Sequence, residues 1–206
     1  MQNRYNLNLW SKRSTHNVLV NLIWNNKKVL DVWCARWYLG SSCDKSNQFW
    51  GLDYNSSDIV EANSVYQDAI EYDLNDIQKL PRDQTYDIII YADILEHVLY
   101  PEKVLHFFDQ YLNDGWKVIL SVPNIANRQV RFKLLFGDFD YIDGAGIMDS
   151  THLKIYTYKT AEKLLNDGWY DVINKYGWAS ILGSIINFIP SLKWLLSTNI
   201  ILIWKR

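Results

Sequence analysis

The chain has 206 residues, a formal net charge of −2, 49% hydrophobic and 21% charged residues, an ordinary balance for one globular domain with a substantial core. So small a charge gives no global pull toward nucleic acid or an anionic membrane, and no nucleic-acid partner is expected. The two cysteines, Cys34 and Cys43, have no metal-ligand spacing and no secretory signal is present, so no metal and a cytoplasmic location are the expectations.

Residues 1–13 are polar and mixed, with Tyr5 and Trp10 as anchors. Ser14 is placed to cap a helix carrying Val18, Leu19, Leu22 and Ile23 at helical spacing. That helix is expected beside the first strand, covering a pocket from one side. The first strand runs from Lys28 to Val32, with Asp31 near its end, and a turn and a short helix over 38–45 should follow. Gln48 to Asp53 reads as strand two, and Asn55-Ser56-Ser57 offers a cap for a helix over 57–64. Ala69-Ile70 is a weak third strand ending near Asp73, and Leu80-Pro81 opens a loop. The β-branched run Ile88–Ile90 is that of a strand buried on both faces. Pro101 suits the first turn of a helix over 101–112 with Val104, Leu105, Phe108 and Leu112 inward. Gly115 makes the turn before strand five, 117–122. Strands alternating with such helices predict a parallel, doubly wound sheet.

Residues 124–156 break that rhythm. Phe132, Phe136, Phe139 and Tyr141, punctuated by Gly137, Gly144 and Gly146, predict a functional insertion of the kind that forms a lid. Arg128 and Arg131 are either solvated lid charges or ligands for an acidic acceptor. A helix over 157–165, capped near Gly168, and strands over 170–174 and 199–204 close the chain. The uncharged run Tyr176–Leu192, broken by Gly183 and Pro190, sits at the short limit for a membrane span. It reads as a helix and loop packed on the sheet, with interfacial contact to a lipid-like substrate as the alternative; no integral membrane segment is expected.

Seven segments carry a likeness to a known family. They are Lys28-Val-Leu-Asp-Val-Trp-Cys-Ala-Arg-Trp-Tyr-Leu-Gly40, Gln48 to Asp53, Tyr72-Asp73-Leu74, Tyr86 to Glu96-His97, Leu112 to Ser121-Val-Pro-Asn124, Asp149-Ser-Thr-His-Leu-Lys154, and Leu164 to Tyr170. Over residues 25–175 the chain resembles the class I S-adenosylmethionine-dependent methyltransferases, in particular the small-molecule subfamily with Glu-His and S-x-P-N motifs. The resemblance implies an α/β fold with a Rossmann-like, doubly wound seven-stranded sheet, mostly parallel with an antiparallel closing strand. It implies a single domain over 1–206, S-adenosylmethionine as cofactor, and methyl transfer to a small-molecule acceptor, at oxygen. In that family's terms Asp31 holds the cofactor's amino end and Asp53 the ribose hydroxyls. Asp73 and Leu74 meet the adenine edge, and Ala92 and Asp93 line the pocket after strand four. His97 and His152 are the base candidates, with a carboxylate expected to fix the His97 tautomer. His16 and His106 read as ordinary surface histidines.

The chain departs from the family at its first turn. The pattern D-x-G-C-G-x-G is here Asp31-Val-Trp33-Cys34-Ala35-Arg-Trp37, so all three glycines are replaced. Glycine serves such turns because it tolerates φ > 0 and lets a ligand lie against the backbone. Trp33 is expected to point into or beside the methionine end of the cofactor pocket. Trp116 and Trp169 also stand at or beside expected glycines. A second reading follows: a methyltransferase-like protein that binds no cofactor and acts as an interaction module. Walker, zincin and G-x-S-x-G patterns are missing, and so is the G-x-G-x-x-G of nicotinamide enzymes.

Overall fold

The chain is described by a computed structural model over residues 15–35, 37–81, 83–144, 146–167, 170–178 and 190–205. Tyr5, Trp10, the Ser14 cap, Gly168, Trp169 and the middle of the uncharged run lie outside these residues.

Continuous apolar runs build the centre. Strands β1 (Lys28–Val32) and β4 (Tyr86–Ala92) lie side by side in parallel, pairing Val29 with Ile88 and Asp31 with Ile90. Successive side chains of a strand point to opposite faces. Accordingly Leu30, Ile89 and Tyr91 enter one hydrophobic cluster, while Val29, Ile88 and Ile90 enter the other. A strand buried on both faces needs no polar alternation, which is why these strands are apolar over most of their length, Asp31 and Asp87 being the acids within them.

Outward from β1 lie β2 (Gln48–Asp53) and β3 (Asp68–Glu71), both parallel. Outward from β4 lie β5 (Leu112–Pro123), β7 (Asn199–Lys205) and β6 (Asp171–Trp178). The order is β3-β2-β1-β4-β5-β7-β6, with β7 antiparallel to both its neighbours. This is the expected doubly wound, seven-stranded, mostly parallel sheet. The chain reverses direction of travel between β1 and β4, which puts a crevice at their carboxyl ends.

Helices cover both faces. Leu19 of α1 (Thr15–Leu22), Leu39 of α2 (Tyr38–Ser42) and Ile59 and Ala62 of α3 (Ser56–Ala62) pack into one cluster. Val104, Leu105 and Phe108 of α4 (Pro101–Phe108) and Tyr158, Ala161 and Leu165 of α6 (Tyr158–Asp167) pack into the other. Local signals set several ends. The Asn55 side chain accepts from the Ser57 amide at the start of α3, Pro101 opens α4, and Thr157 and Thr160 exchange side-chain-to-amide bonds at the start of α6.

Some bounds differ from expectation. β5 begins at Leu112 rather than 117, with its register to β4 broken around Gly115, whose φ is 74°. β6 runs to Trp178, past the expected 174. Inside the insertion stands an unforeseen helix, α5 (Arg128–Leu135), capped by Asn127, and α7 (Pro190–Leu196) precedes β7. α5 left no periodic signal because it buries only Val130, while Phe132, Leu135 and Phe136 face outward. No helix among the described residues is long and apolar enough to cross a membrane.

Candidate functional site

The site begins with an unusual turn. Trp33, Ala35 and Trp37 have φ of 104°, 42° and 65°, so each replaced glycine position keeps the left-handed backbone that glycine would take freely. For residues with a Cβ this costs roughly 1–2 kcal/mol each. The turn is held from below. The amides of Trp33 and Cys34 both donate to the Leu52 carbonyl, and the Ala35 amide donates to Asp53 Oδ2 at 2.8 Å. Trp116 is a different case. It sits in β5 without positive φ, under the Lys27 ammonium at 3.9 Å, so it carries no comparable strain.

Beneath the turn Asp31 is buried. Its Oδ2 accepts from the Tyr66 hydroxyl at 2.7 Å, while Oδ1 meets no donor among the described residues. Burial, with smaller help from the Asp53 charge and against the Tyr66 bond, pushes its carboxyl up to about 7. Tyr66 reaches it through a slot that two glycines leave open. A Cβ on Gly40 would stand 2.2 Å from the Tyr66 ring, and one on Gly51 would stand 2.6 Å from Cys34 Sγ. Tyr66 was not foreseen, and its only trace in the sequence is that pair of glycines.

Two cavities open at the carboxyl edge of β1 and β4. The first, about 320 Å³, is lined by Asp31, Trp33, Cys34 and Ala35, by Ala92 and Asp93 after β4, and by α1 residues that include His16. His16 is thus no ordinary surface residue. α1 leans over the crevice, and His16 Nε2 lies 3.0 Å from the Tyr38 carbonyl. The second cavity, about 280 Å³, is lined by Trp33, Tyr54, Asp73, Leu74, Asn75, Ile94, His97 and Val98. Trp33 borders both. Its indole stacks on Tyr54 at 4.8 Å and lies nearly parallel to His97 at 6.3 Å.

The remaining expected residues fall as follows. Asp53 borders neither cavity; its two oxygens accept from the Ala35 and Asn55 amides. Asp73 accepts from the Asn75 amide within the second cavity. Asp93, at φ 50°, is half-buried and accepts from Ser121 Oγ and Asn199 Nδ2. Burial raises its carboxyl, and those two bonds oppose the rise. The S-x-P-N motif is therefore a brace: Ser121 holds Asp93, and Asn124 Nδ2 donates to the Trp194 and Ser197 carbonyls at the end of α7. Arg131 Nε donates to the Ala126 carbonyl.

His97 stands in the second cavity, but among the described residues no carboxylate bonds its ring to fix the tautomer. Nδ1 faces the Thr151 carbonyl and hydroxyl, each at 3.2 Å. A carbonyl only accepts, so Nδ1 carries the hydrogen. Burial and the neighbouring His152 hold its ring below the ordinary imidazole range. His152 packs edge-on at 4.8 Å, its own Nδ1 facing the Ile147 carbonyl. Glu96 lies buried beside them, its carboxyl pushed well up by burial. The structure thus unites His97 and His152, which come from separate segments, and adds Glu96 to them.

S-adenosylmethionine fits the acceptors at both ends. The orphaned Asp31 Oδ1 suits an ammonium group, and Asp73 and Leu74 offer an acid and an apolar edge to a base. Between these ends stands the Trp33 indole, which must turn aside for one ligand to span both cavities.

Comparison with known proteins agrees with this architecture. The family described as Methionine biosynthesis protein MetW matches residues 13–157, more than half of the chain. A mitochondrial ubiquinone biosynthesis O-methyltransferase of Candida albicans is 32% identical over 106 residues, which are 47% of this chain and only 32% of that protein, so the alignment spans about a third of the relative's length. A SAM-dependent methyltransferase from Archaeoglobus fulgidus superposes with a TM-score of 0.66 at 15% identity, covering 96% of this chain and 98% of that one. Magnesium protoporphyrin IX methyltransferase from Synechocystis PCC 6803, solved with bound SAH, gives 0.63 at 14% identity, covering 93% and 82%. At such identities these structures establish the shared fold alone.

Proposed function

The chain belongs to the MetW family, and on that premise we propose that it transfers a methyl group from S-adenosylmethionine to an oxygen of a small-molecule acceptor. One observation carries the reading: a buried carboxylate oxygen without a donor, Asp31 Oδ1, lines a cavity at the switch point of a methyltransferase fold. Water or a cationic group is needed there, and the cofactor's ammonium is one.

In this reading Asp31 takes the amino end, and Asp73 and Leu74 the adenine edge. Ala92 and Asp93 wall the methionine side. Asp53 pins the turn from below through the Ala35 amide and borders neither cavity, so the ribose ligand expected of it is not part of this reading. The cofactor supplies an electrophilic methyl on a sulfonium. The protein's own part is alignment and removal of a proton. His97 and His152, each with Nδ1 committed to a carbonyl, have Nε2 free to accept the proton of an acceptor hydroxyl. The insertion over 124–156 is the acceptor-side lid. We place the protein in the cytoplasm, where the unpaired Cys34 and Cys43 stay reduced.

The second reading, an interaction module without cofactor, is favoured by the Trp33 indole standing between the cavities. Calorimetry with S-adenosylmethionine on this chain and on the Trp33→Gly, Ala35→Gly, Trp37→Gly triple variant separates the two. Binding by both supports the enzyme. Binding only by the variant defeats the enzyme reading for the natural sequence, and binding by neither defeats the carry-over from the family.

A further inference from the structure

The Asp149–Lys154 segment lies over the short turn Leu95–His97 that follows β4. The Glu96 carbonyl holds it there, accepting from the Leu153 and Lys154 amides at 2.7 and 2.9 Å. Within the segment, Asp149 Oδ1 accepts twice from Thr151, from its amide at 2.9 Å and from its hydroxyl at 2.7 Å. Burial works to raise the Asp149 carboxyl, but the Thr151 bonds and the charges of His152 and His97 prevail and hold it below the usual carboxylate range. It is therefore ionised and only accepts, so the hydroxyl hydrogen belongs to that bond. The hydroxyl has only lone pairs left to turn toward His97 Nδ1, 3.2 Å away. The Thr151 carbonyl, also at 3.2 Å, is a second acceptor on the same nitrogen. His97, Thr151 and Asp149 thus form one directed chain, in which each hydrogen points toward the carboxylate.

The two imidazoles are not equivalent. His97 lines the second cavity, and His152 lines neither. His152 Nδ1 faces the Ile147 carbonyl, and no hydroxyl among the described residues joins it there. Three titratable groups stand around the His97 ring. His152 packs edge-on against it at 4.8 Å. Glu96 is buried, and burial pushes its carboxyl well up, which favours the neutral form. Asp149 is the anion that favours a charged His97, while Asp93 acts on His152.

We propose that Asp149 is the positioning residue for His97 as base, acting through the Thr151 hydroxyl. The role of base rests on the methyl-transfer reading; the chain of hydrogen bonds does not. Asp149 keeps the hydroxyl from donating. Left free, the hydroxyl could give its hydrogen to Nδ1, which would move the ring's own hydrogen to Nε2 and end its capacity to accept. In the reaction the acceptor's O–H proton passes to Nε2 as its oxygen bonds the methyl carbon. The sulfonium C–S bond breaks, leaving a neutral thioether. The imidazolium so formed keeps its Nδ1 hydrogen on Thr151, and the Asp149 charge offsets its own.

Long-range nitrogen–proton NMR of the full chain, labelled at histidine and free of cofactor and acceptor, reads the tautomer and titration of each ring. The natural chain should show His97 as a single Nδ1–H form above its titration. Asp149→Ala frees the hydroxyl and should bring in the Nε2–H form. Adding Thr151→Val removes the hydroxyl, keeps the carbonyl and should restore the single Nδ1–H form. Asp149→Asn can still accept the hydroxyl hydrogen but lacks the charge, so His97 should keep its tautomer and titrate at lower pH. Asp149 is half-buried and Thr151 exposed, so these variants are expected to fold. A single Nδ1–H form with unchanged titration in Asp149→Ala overturns the proposal. So does an Nε2–H form that persists in the double variant, the result expected of a mere defect in the loop. The spectra need no cofactor, so they stand apart from the binding assays that test methyl transfer itself.

Discussion

Trp33→Gly is the most informative single change. In the natural chain Trp33 holds φ at 104°, which costs roughly 1–2 kcal/mol relative to glycine. Its stacking on Tyr54 returns about 0.5–1.5 kcal/mol. The two nearly offset, so the variant's melting temperature should move by no more than about 4 °C. Binding responds differently. Removing the indole joins cavities of about 320 and 280 Å³ into one of the size that cofactor pockets have. In the natural chain a ligand spanning both must first displace the indole, at about 1–3 kcal/mol, which lowers affinity roughly 5- to 150-fold. Calorimetry should therefore show S-adenosylmethionine binding at least about fivefold tighter to Trp33→Gly. Trp37→Gly is the control, because Trp37 also has positive φ but lines neither cavity; its affinity should stay within about threefold. Equal or weaker binding by a folded Trp33→Gly protein would refute the reasoning.

Asp31 predicts a pH dependence. Its carboxyl is held near 7 when folded against an ordinary value of 3.8, so the folded state keeps a proton that the unfolded chain has lost. Stability from this group is full below pH 4 and falls by about 1.4 kcal/mol per pH unit up to about 7, then levels. Urea unfolding of Asp31→Asn should lack that component of the slope. At pH 6, calorimetry in two buffers should show close to one proton released as an ammonium ligand binds, and none with Asp31→Asn. Gly51→Ala, whose Cβ would meet Cys34 Sγ at 2.6 Å, should destabilise by about 1–3 kcal/mol in denaturant titrations. Asn124→Ala strips a buried donor from the Trp194 and Ser197 carbonyls and should cost about 1–3 kcal/mol by the same assay.

The fold was legible because its signals are local and strong. The apolar run Ile88–Ile90, and Val29, Leu30 and Val32 around Asp31, mark doubly buried strands, and Pro101 and Asn55 mark helix starts. The α5 helix was hidden because it buries one residue and shows no stripe. In the site, Asp31, Asp73, Leu74, Ala92 and Asp93 border the cavities, whereas Asp53, the last residue of β2, borders neither. What depends on distant packing was not visible. Tyr66 reaches Asp31 from 35 residues away, and His16 enters the crevice only because α1 leans across it. The His97 tautomer is set by Thr151, 54 residues on, and not by the carboxylate next to it in sequence. Contacts of that kind follow from tertiary geometry, which residue spacing does not encode.

The central claim is that the crevice at the ends of β1 and β4 receives a sulfonium nucleoside with Trp33 swung aside. A crystal structure of this chain grown with S-adenosylhomocysteine tests it most directly. The account predicts the ligand's amino group within hydrogen-bonding distance of Asp31 Oδ1, its adenine beside Asp73 and Leu74, and the Trp33 indole no longer stacked on Tyr54. A ligand bound elsewhere, or a crevice still divided by an unmoved indole at saturating ligand, would contradict it.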